Sequence, residues 1–243
     1  MSDQTAISSM PLYTHLDRVE KALAALGVGR RDPIRPEQLF AIDQWHYHGT
    51  YAIRAAAEAL RLGPASRVLD VGSGIGGPAR YLAHTTGCHV TALELQPELH
   101  QIGVDLTRRS GLAGRVTHLC GDALTYPLPL AEFDAAVSWL AILHISDRRH
   151  LFARLARALR AGGHMLCRGS LPARALRSAG FGRSARHRPR HHGDQPSGLC
   201  GRSACSGLRG GRHDGPHERL GAVCRRAPPH LAAEPRGLYQ RSW

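Results

Sequence analysis

Hydrophobic residues recur at helical and strand spacings up to about residue 167, and at neither spacing beyond it. Leu16, Val19, Leu23 and Leu26 fall on one face of a helix over 14–26, and Gly27 and Gly29 stop it. Residues 31–36 read as a loop, and 36–49 as a short helix and a turn. Thr50 is placed to cap the next helix, in which Ile53, Ala56, Ala57 and Leu60 recur at helical spacing until Gly63-Pro64. From there short apolar runs alternate with helical stripes. Strands are predicted at 67–71, 89–93, 116–120 and 133–138, and a fifth starts at 164–167. Helices are predicted to open at 78–84 and to span 97–110 and 148–159. In the last two, Leu99, Ile102 and Leu106 point inward, as do Leu151, Phe152, Leu155 and Leu159. Ala161-Gly162-Gly163 is expected to be a turn. Strands alternating with helices predict βαβ units, hence an α/β fold with a mostly parallel sheet flanked by helices.

The end of this pattern changes the picture of the charge. The chain is 243 residues long with a formal net charge of +13, which at first suggests a nucleic-acid partner. Residues 168–243 hold 15 Arg against four acids, a surplus of 11, and so leave only +2 for residues 1–167. That tail has no Ile, no Lys and a single Val, Val223, and is dense in Arg, Gly and Pro. The chain therefore divides into an N-terminal helical segment, 1–62, a patterned core, 63–167, and a low-complexity Arg/Gly/Pro-rich tail, 168–243, expected to be disordered. The tail has three readings. It is a basic arm able to bind nucleic acid or a membrane surface, a folded segment of odd composition, or the out-of-frame translation of a GC-rich gene. The last accounts best for its cysteines and its isolated Trp and Tyr, because GC-rich codons give Arg, Gly, Pro and Ala in any frame.

No run of about 18 apolar residues is present, so no membrane-spanning helix is expected. The first ten residues lack a basic segment leading into an apolar one, which points to the cytoplasm. Cys88, Cys120, Cys167, Cys200, Cys205 and Cys224 form no CxxC pair, so they are read as free thiols and not as a metal site.

Candidate chemistry gathers at the ends of the first three core strands. Gly72-Ser73-Gly74-Ile75-Gly76-Gly77 is a tight turn from strand to helix, which lets a ligand approach backbone closely and aims helix N–H groups at it. Glu94 ends the second strand, 24 residues after Asp70, where an acid can accept from both hydroxyls of a ribose. Gly121-Asp122-Ala123 follows the third strand, and its carboxylate can accept from the amine of an adenine. Each feature has a plainer explanation: a turn, a solvated acid, a capped loop. Together they converge where open α/β sheets bind ligands.

The run Leu69-Asp70-Val71-Gly72-Ser73-Gly74-Ile75-Gly76-Gly77-Pro78-Ala79-Arg80-Tyr81-Leu82-Ala83 resembles the first motif of the class I S-adenosylmethionine-dependent methyltransferases. Its Gly-Gly-Pro-Ala-Arg ending is similar to the small-molecule branch, which includes sterol, tocopherol and phosphoethanolamine methyltransferases. The resemblance covers roughly residues 40–167 and implies a Rossmann-like fold with S-adenosyl-L-methionine as cofactor. It assigns Asp70, Gly72, Ser73 and Gly74 to the methionine side, Glu94 and Leu95 to the ribose, and Asp122 and Ala123 to the adenine. Trp139 is assigned to the cofactor as well. A nicotinamide-dinucleotide enzyme is the competing reading, although its fingerprint usually starts near the N-terminus and lacks the Gly-Asp-Ala element.

The same resemblance makes residues 1–62 a lid and Ile142-Leu143-His144 a substrate-side segment. It makes His144 the candidate base and Tyr47 its candidate partner. Trp45 and Tyr47 are suited to form an aromatic wall for a cationic amine. His46 and His48 have no acidic or Cys neighbour at metal-ligand spacing, so no metal is expected. The family's fold continues past the fifth strand with a helix and an antiparallel hairpin, for which 168–243 shows no pattern. The expectation is methyl transfer to a small-molecule acceptor, more readily a nitrogen than carbon or oxygen. The alternative is an impaired or inactive relative whose basic tail binds nucleic acid.

Overall fold

The computed structural model describes residues 17–46, 48–168, 181–183 and 222–226, the last two stretches as backbone. Among the described residues three helices come first: α1 (Arg18–Ala25), α2 (Pro36–Phe40) and α3 (Gly49–Leu60). Strands and helices then alternate as β1 (Arg67–Val71), α4 (Gly77–Thr86), β2 (His89–Glu94), α5 (Pro97–Arg109) and β3 (Val116–Cys120). They continue with β4 (Phe133–Trp139), a 3₁₀ turn at Ile142–His144, α6 (Arg148–Ala158) and β5 (Leu159–Arg168). Two short strands, β6 (Phe181–Arg183) and β7 (Ala222–Arg226), complete the described elements.

The sheet order is β3-β2-β1-β4-β5-β7-β6, parallel from β3 through β5. This is the Rossmann-like arrangement that the alternation predicts. Side chains of successive strand residues leave on opposite faces. Val68, Val137 and Trp139 therefore pack with Ala52, Ile53, Ala79 and Leu82 of α3 and α4. Leu69, Val71, Ala136 and Met165 pack on the other face with Leu151, Phe152 and Leu155 of α6. A third cluster joins Val19 and Leu23 of α1, Leu39 of α2, and Leu99 and Leu106 of α5. This cluster seats the N-terminal segment on the domain. The strand order reverses between β1 and β4, and open α/β sheets bind ligands at that crevice. Among the described residues, no helix is long and apolar enough to cross a membrane.

Four local expectations are corrected. Of the helix expected over 14–26, residues 14–16 lie outside the described residues; the described helix ends at Ala25, and Leu26 is 53% exposed, because it is the C-cap before Gly27 at φ +73° and has left the helical stripe. Thr50 lies inside α3, whose N-cap is His48 in the left-handed region. Ala161-Gly162-Gly163 is not a turn. β5 runs through it, with a register shift against Phe133 and Ala135 and with Gly162 at φ +79°. Between these pairs β5 advances five residues against two in β4, so three extra residues bulge out without ending the strand. Finally, β7 pairs antiparallel with β5 and β6 with β7, from a stretch whose composition shows no strand pattern.

Candidate cofactor and substrate site

Asp70 ends in the sheet's interior at 0% exposure, and neither carboxylate oxygen has a hydrogen-bond partner among the described residues. Burial, and secondarily the nearby Glu94, push its pKa up to about 8. A carboxyl group in this setting favours a cation as neighbour, since an opposite charge restores its ionised form.

Gly72 follows at φ +70°, and a Cβ there would collide with the side chain of Ala141, so the β1 and β4 loops meet at this point. Gly72 and Ser73 donate backbone N–H bonds to the Leu93 carbonyl, at 2.8 and 3.1 Å. Ser73 is buried, with its hydroxyl unpartnered among the described residues. The Gly74 N–H donates to Oε2 of Glu94 at 2.7 Å, and the Gln96 N–H donates to Oε1 at 3.0 Å. These two bonds aim the Glu94 carboxylate across the mouth of the glycine-rich loop. Each oxygen keeps a lone pair for a further donor. Burial raises the Glu94 pKa, and the backbone bonds oppose it. Leu95 beside it is half-buried.

The third strand end joins the same place, because the Gly121 N–H donates to the Glu94 carbonyl at 2.8 Å. Asp122 is exposed, and its Oδ1 accepts from Leu124 N at 2.8 Å, closing a turn; Ala123 is buried. On the β4 side, Ser138 Oγ donates to the Val71 carbonyl at 2.8 Å. Trp139 is buried, with its indole N–H unpartnered among the described residues. Leu140 turns the chain at φ +63°, a strained setting for a branched side chain and one that clusters at functional sites. His144 follows, half-buried, and burial lowers its pKa below the ordinary histidine value.

S-adenosylmethionine presents an ammonium, a ribose diol and an adenine. The uncompensated Asp70 carboxylate fits the first and the aimed Glu94 carboxylate the second. The glycine-rich loop supplies a close backbone approach between them.

Three features escape the sequence. Arg80 is fully buried against Asp43, with Nη2 to Oδ2 at 2.8 Å. The signal was a lone cation on the apolar stripe Ala79, Leu82, Ala83. His46 lies on Trp139 with ring centroids 5.1 Å apart and planes at 28°. Trp45 does not stand as an open aromatic wall: the guanidinium of Arg18 covers its ring, 3.4 Å from the centroid. Tyr47 lies outside the described residues.

The family model described as "Methyltransferase domain" matches residues 68–163. A glycine/sarcosine/dimethylglycine N-methyltransferase of Actinopolyspora halophila is 35% identical over 114 residues, 47% of this chain and 20% of that protein. A probable tocopherol O-methyltransferase of Oryza sativa is 36% identical over 99 residues, 41% of this chain and 27% of that protein. The structure of Haemonchus contortus phosphoethanolamine N-methyltransferase 2 with S-adenosyl-L-methionine superposes with a TM-score of 0.56. It covers 74% of this chain and 44% of that one at 23% identity, and it shows the shared fold. The chain spans between 20% and 40% of the curated relatives it matches. Over residues 68–163 the chain is similar to a methyltransferase domain, on the Rossmann-like fold that the superposition shares.

Proposed function

We propose that this chain transfers a methyl group from S-adenosylmethionine to a small-molecule amine. The observation that carries the reading is Asp70: a buried carboxylate without a partner among the described residues, beside a glycine-rich loop that aims Glu94. Asp70 and Ser73 hold the methionine end, Glu94 with Leu95 the ribose, and Asp122 with Ala123 the adenine. Trp139 walls the cleft from β4. When bound, the cofactor supplies an electrophilic methyl on a sulfonium, so the protein's task is alignment of the acceptor for in-line displacement.

An amine acceptor must lose a proton before its nitrogen can attack. His144 is neutral near pH 7, because burial lowers its pKa, and a neutral imidazole can take that proton. Tyr47 is proposed to orient His144 or the acceptor. Support for a nitrogen acceptor comes also from relatives named as N-methyltransferases, which stand beside others named as O- and C-methyltransferases.

The test is transfer of labelled methyl to sarcosine, dimethylglycine and phosphoethanolamine by the full-length chain. Label in one of these products, dependent on His144, supports the reading. Cofactor binding without transfer to any amine would contradict it.

A further inference from the structure

The first helix of the glycine-rich motif is wired to the lid by a chain of side-chain bonds. Arg80 Nη2 donates to Asp43 Oδ2 at 2.8 Å, and Gln44 Nε2 donates to Asp43 Oδ1 at 2.6 Å. Gln44 Oε1 then faces His46 Nε2 at 3.2 Å. The direction of each bond follows from the one before. Guanidinium only donates and the carboxylate opposite it only accepts, so Gln44 must present its NH₂ group to Asp43. Its carbonyl oxygen is left toward His46, and Nε2 of His46 must carry the proton. The ring so oriented lies flat on Trp139, at the C-terminal end of β4.

The root of this chain is rigid. Arg80 also donates to Thr107 Oγ1 at 3.1 Å, and Thr107 Oγ1 is 2.8 Å from His118 Nε2. A Cβ on Gly77 would strike the Asp43 carbonyl, so the lid approaches the glycine-rich loop at backbone contact. The tip of the chain stands at the crevice between β1 and β4 where the strand order reverses, which is the ligand side of the sheet.

We infer that Arg80, Asp43 and Gln44 are positioning residues that hold His46 on Trp139, and that His46 so held is the lid's wall for the methyl acceptor. The inference about the acceptor rests on the function proposed above; the relay itself does not. Trp139 is buried while His46 above it is only half-buried, so the imidazole is the ring that a molecule entering at the end of β4 would meet, and a polar ring suits a small, amine-bearing acceptor better than a bulky apolar one.

The experiment uses the full-length chain with Trp45→Phe and Trp243→Phe, so that Trp139 alone emits. Acrylamide quenching then reads how firmly His46 covers it. Gln44→Leu cuts the relay without stranding the buried ion pair, and quenching is expected to rise about fivefold, the effect of one lost hydrogen bond on an opening equilibrium. S-adenosylhomocysteine affinity by calorimetry should change far less than the acceptor KM, because Gln44 reaches Trp139 only through His46 and touches neither Asp70 nor Glu94. With the acceptor that the labelled panel identifies, Gln44→Leu and His46→Leu should raise the acceptor KM about tenfold while kcat falls less. His46→Phe, which keeps a stacked ring, should recover part of that loss. Equal quenching in Gln44→Leu and its parent would overturn the relay. Raised quenching with an unchanged acceptor KM would overturn the role at the acceptor. Failure of the parent to bind S-adenosylhomocysteine would instead contradict the function proposed above, and the quenching comparison would still decide the relay.

Discussion

Arg80 and Asp43 meet at 2.8 Å with neither side chain exposed, so the N-terminal segment and the glycine-rich motif share a fully buried ion pair. Removing one partner strands the other charge in the interior. Arg80→Met is expected to lower the unfolding free energy by about 3–5 kcal/mol in urea titrations, whereas the double change with Asp43→Leu should cost clearly less. If the two single changes simply add, the pair is not coupled as its geometry requires.

The Asp70 carboxyl predicts a pH dependence of opposite sign to that of an ordinary surface acid. Burial first, and Glu94 second, raise its folded pKa from 3.8 to about 8. The folded state then binds a proton that the unfolded state has released. The stabilising contribution is complete below about pH 4 and is lost as pH rises through 8, at up to about 1.4 kcal/mol per pH unit. Asp70→Asn should flatten the pH–stability curve of the ligand-free chain across that window. A wild-type curve rising from pH 5 to 8 and unaffected by Asp70→Asn would contradict this.

That proton also predicts the calorimetry of binding. A ligand ammonium that settles on Asp70 restores its ionised form, so binding at pH 7 should release protons. The apparent enthalpy of S-adenosylhomocysteine binding should differ between phosphate and Tris, in proportion to buffer ionisation enthalpy, and the difference should vanish in Asp70→Asn.

His144 is neutral over a wider pH range than an exposed histidine, because burial lowers its pKa from 6.5. The acid limb of kcat/KM should therefore fall below pH 6.5. His144→Ala should reduce kcat by about 10²–10⁴-fold while leaving S-adenosylhomocysteine affinity nearly unchanged. An acid limb unmoved by His144→Ala would remove His144 from the proton-transfer role.

β7 lies between β5 and β6, and Cys224 is in register with Met165 on one side and Arg183 on the other. Whichever way its N–H points, a strand stands there to accept it. Cys224→Pro should therefore cost at least about 1–3 kcal/mol in thermal or urea unfolding. An unchanged midpoint would mean that the tail contributes nothing to the sheet.

Much of this arrangement was legible in the sequence, and what was not has physical causes. β1 through β4 and the glycine turn are local: apolar runs such as Val68-Leu69 and the Gly72-Ser73-Gly74 loop carry their own signal. Asp70, Glu94 and Gly121 meet because parallel register puts strand ends side by side, which the alternation of elements already implies. The Asp43–Arg80 bond joins residues 37 positions apart and has no periodic trace beyond one cation on an apolar stripe. The sequence offers Trp45 as a ligand wall, but its ring is covered by the chain's own Arg18, a contact made where Trp45 packs against the third core cluster. The bulged start of β5 and the strand β7 were missed because glycines and arginines there break the alternation that marks a strand, while the backbone pairs all the same.

Asp70 and Glu94 are proposed to hold S-adenosylmethionine, and calorimetric titration of the full-length chain with S-adenosylhomocysteine decides it. Saturable micromolar binding is expected, weakened about tenfold or more in Asp70→Asn and in Glu94→Gln. A soluble, monodisperse, folded chain that takes up no S-adenosylhomocysteine, or that binds it equally well without both carboxylates, would contradict it.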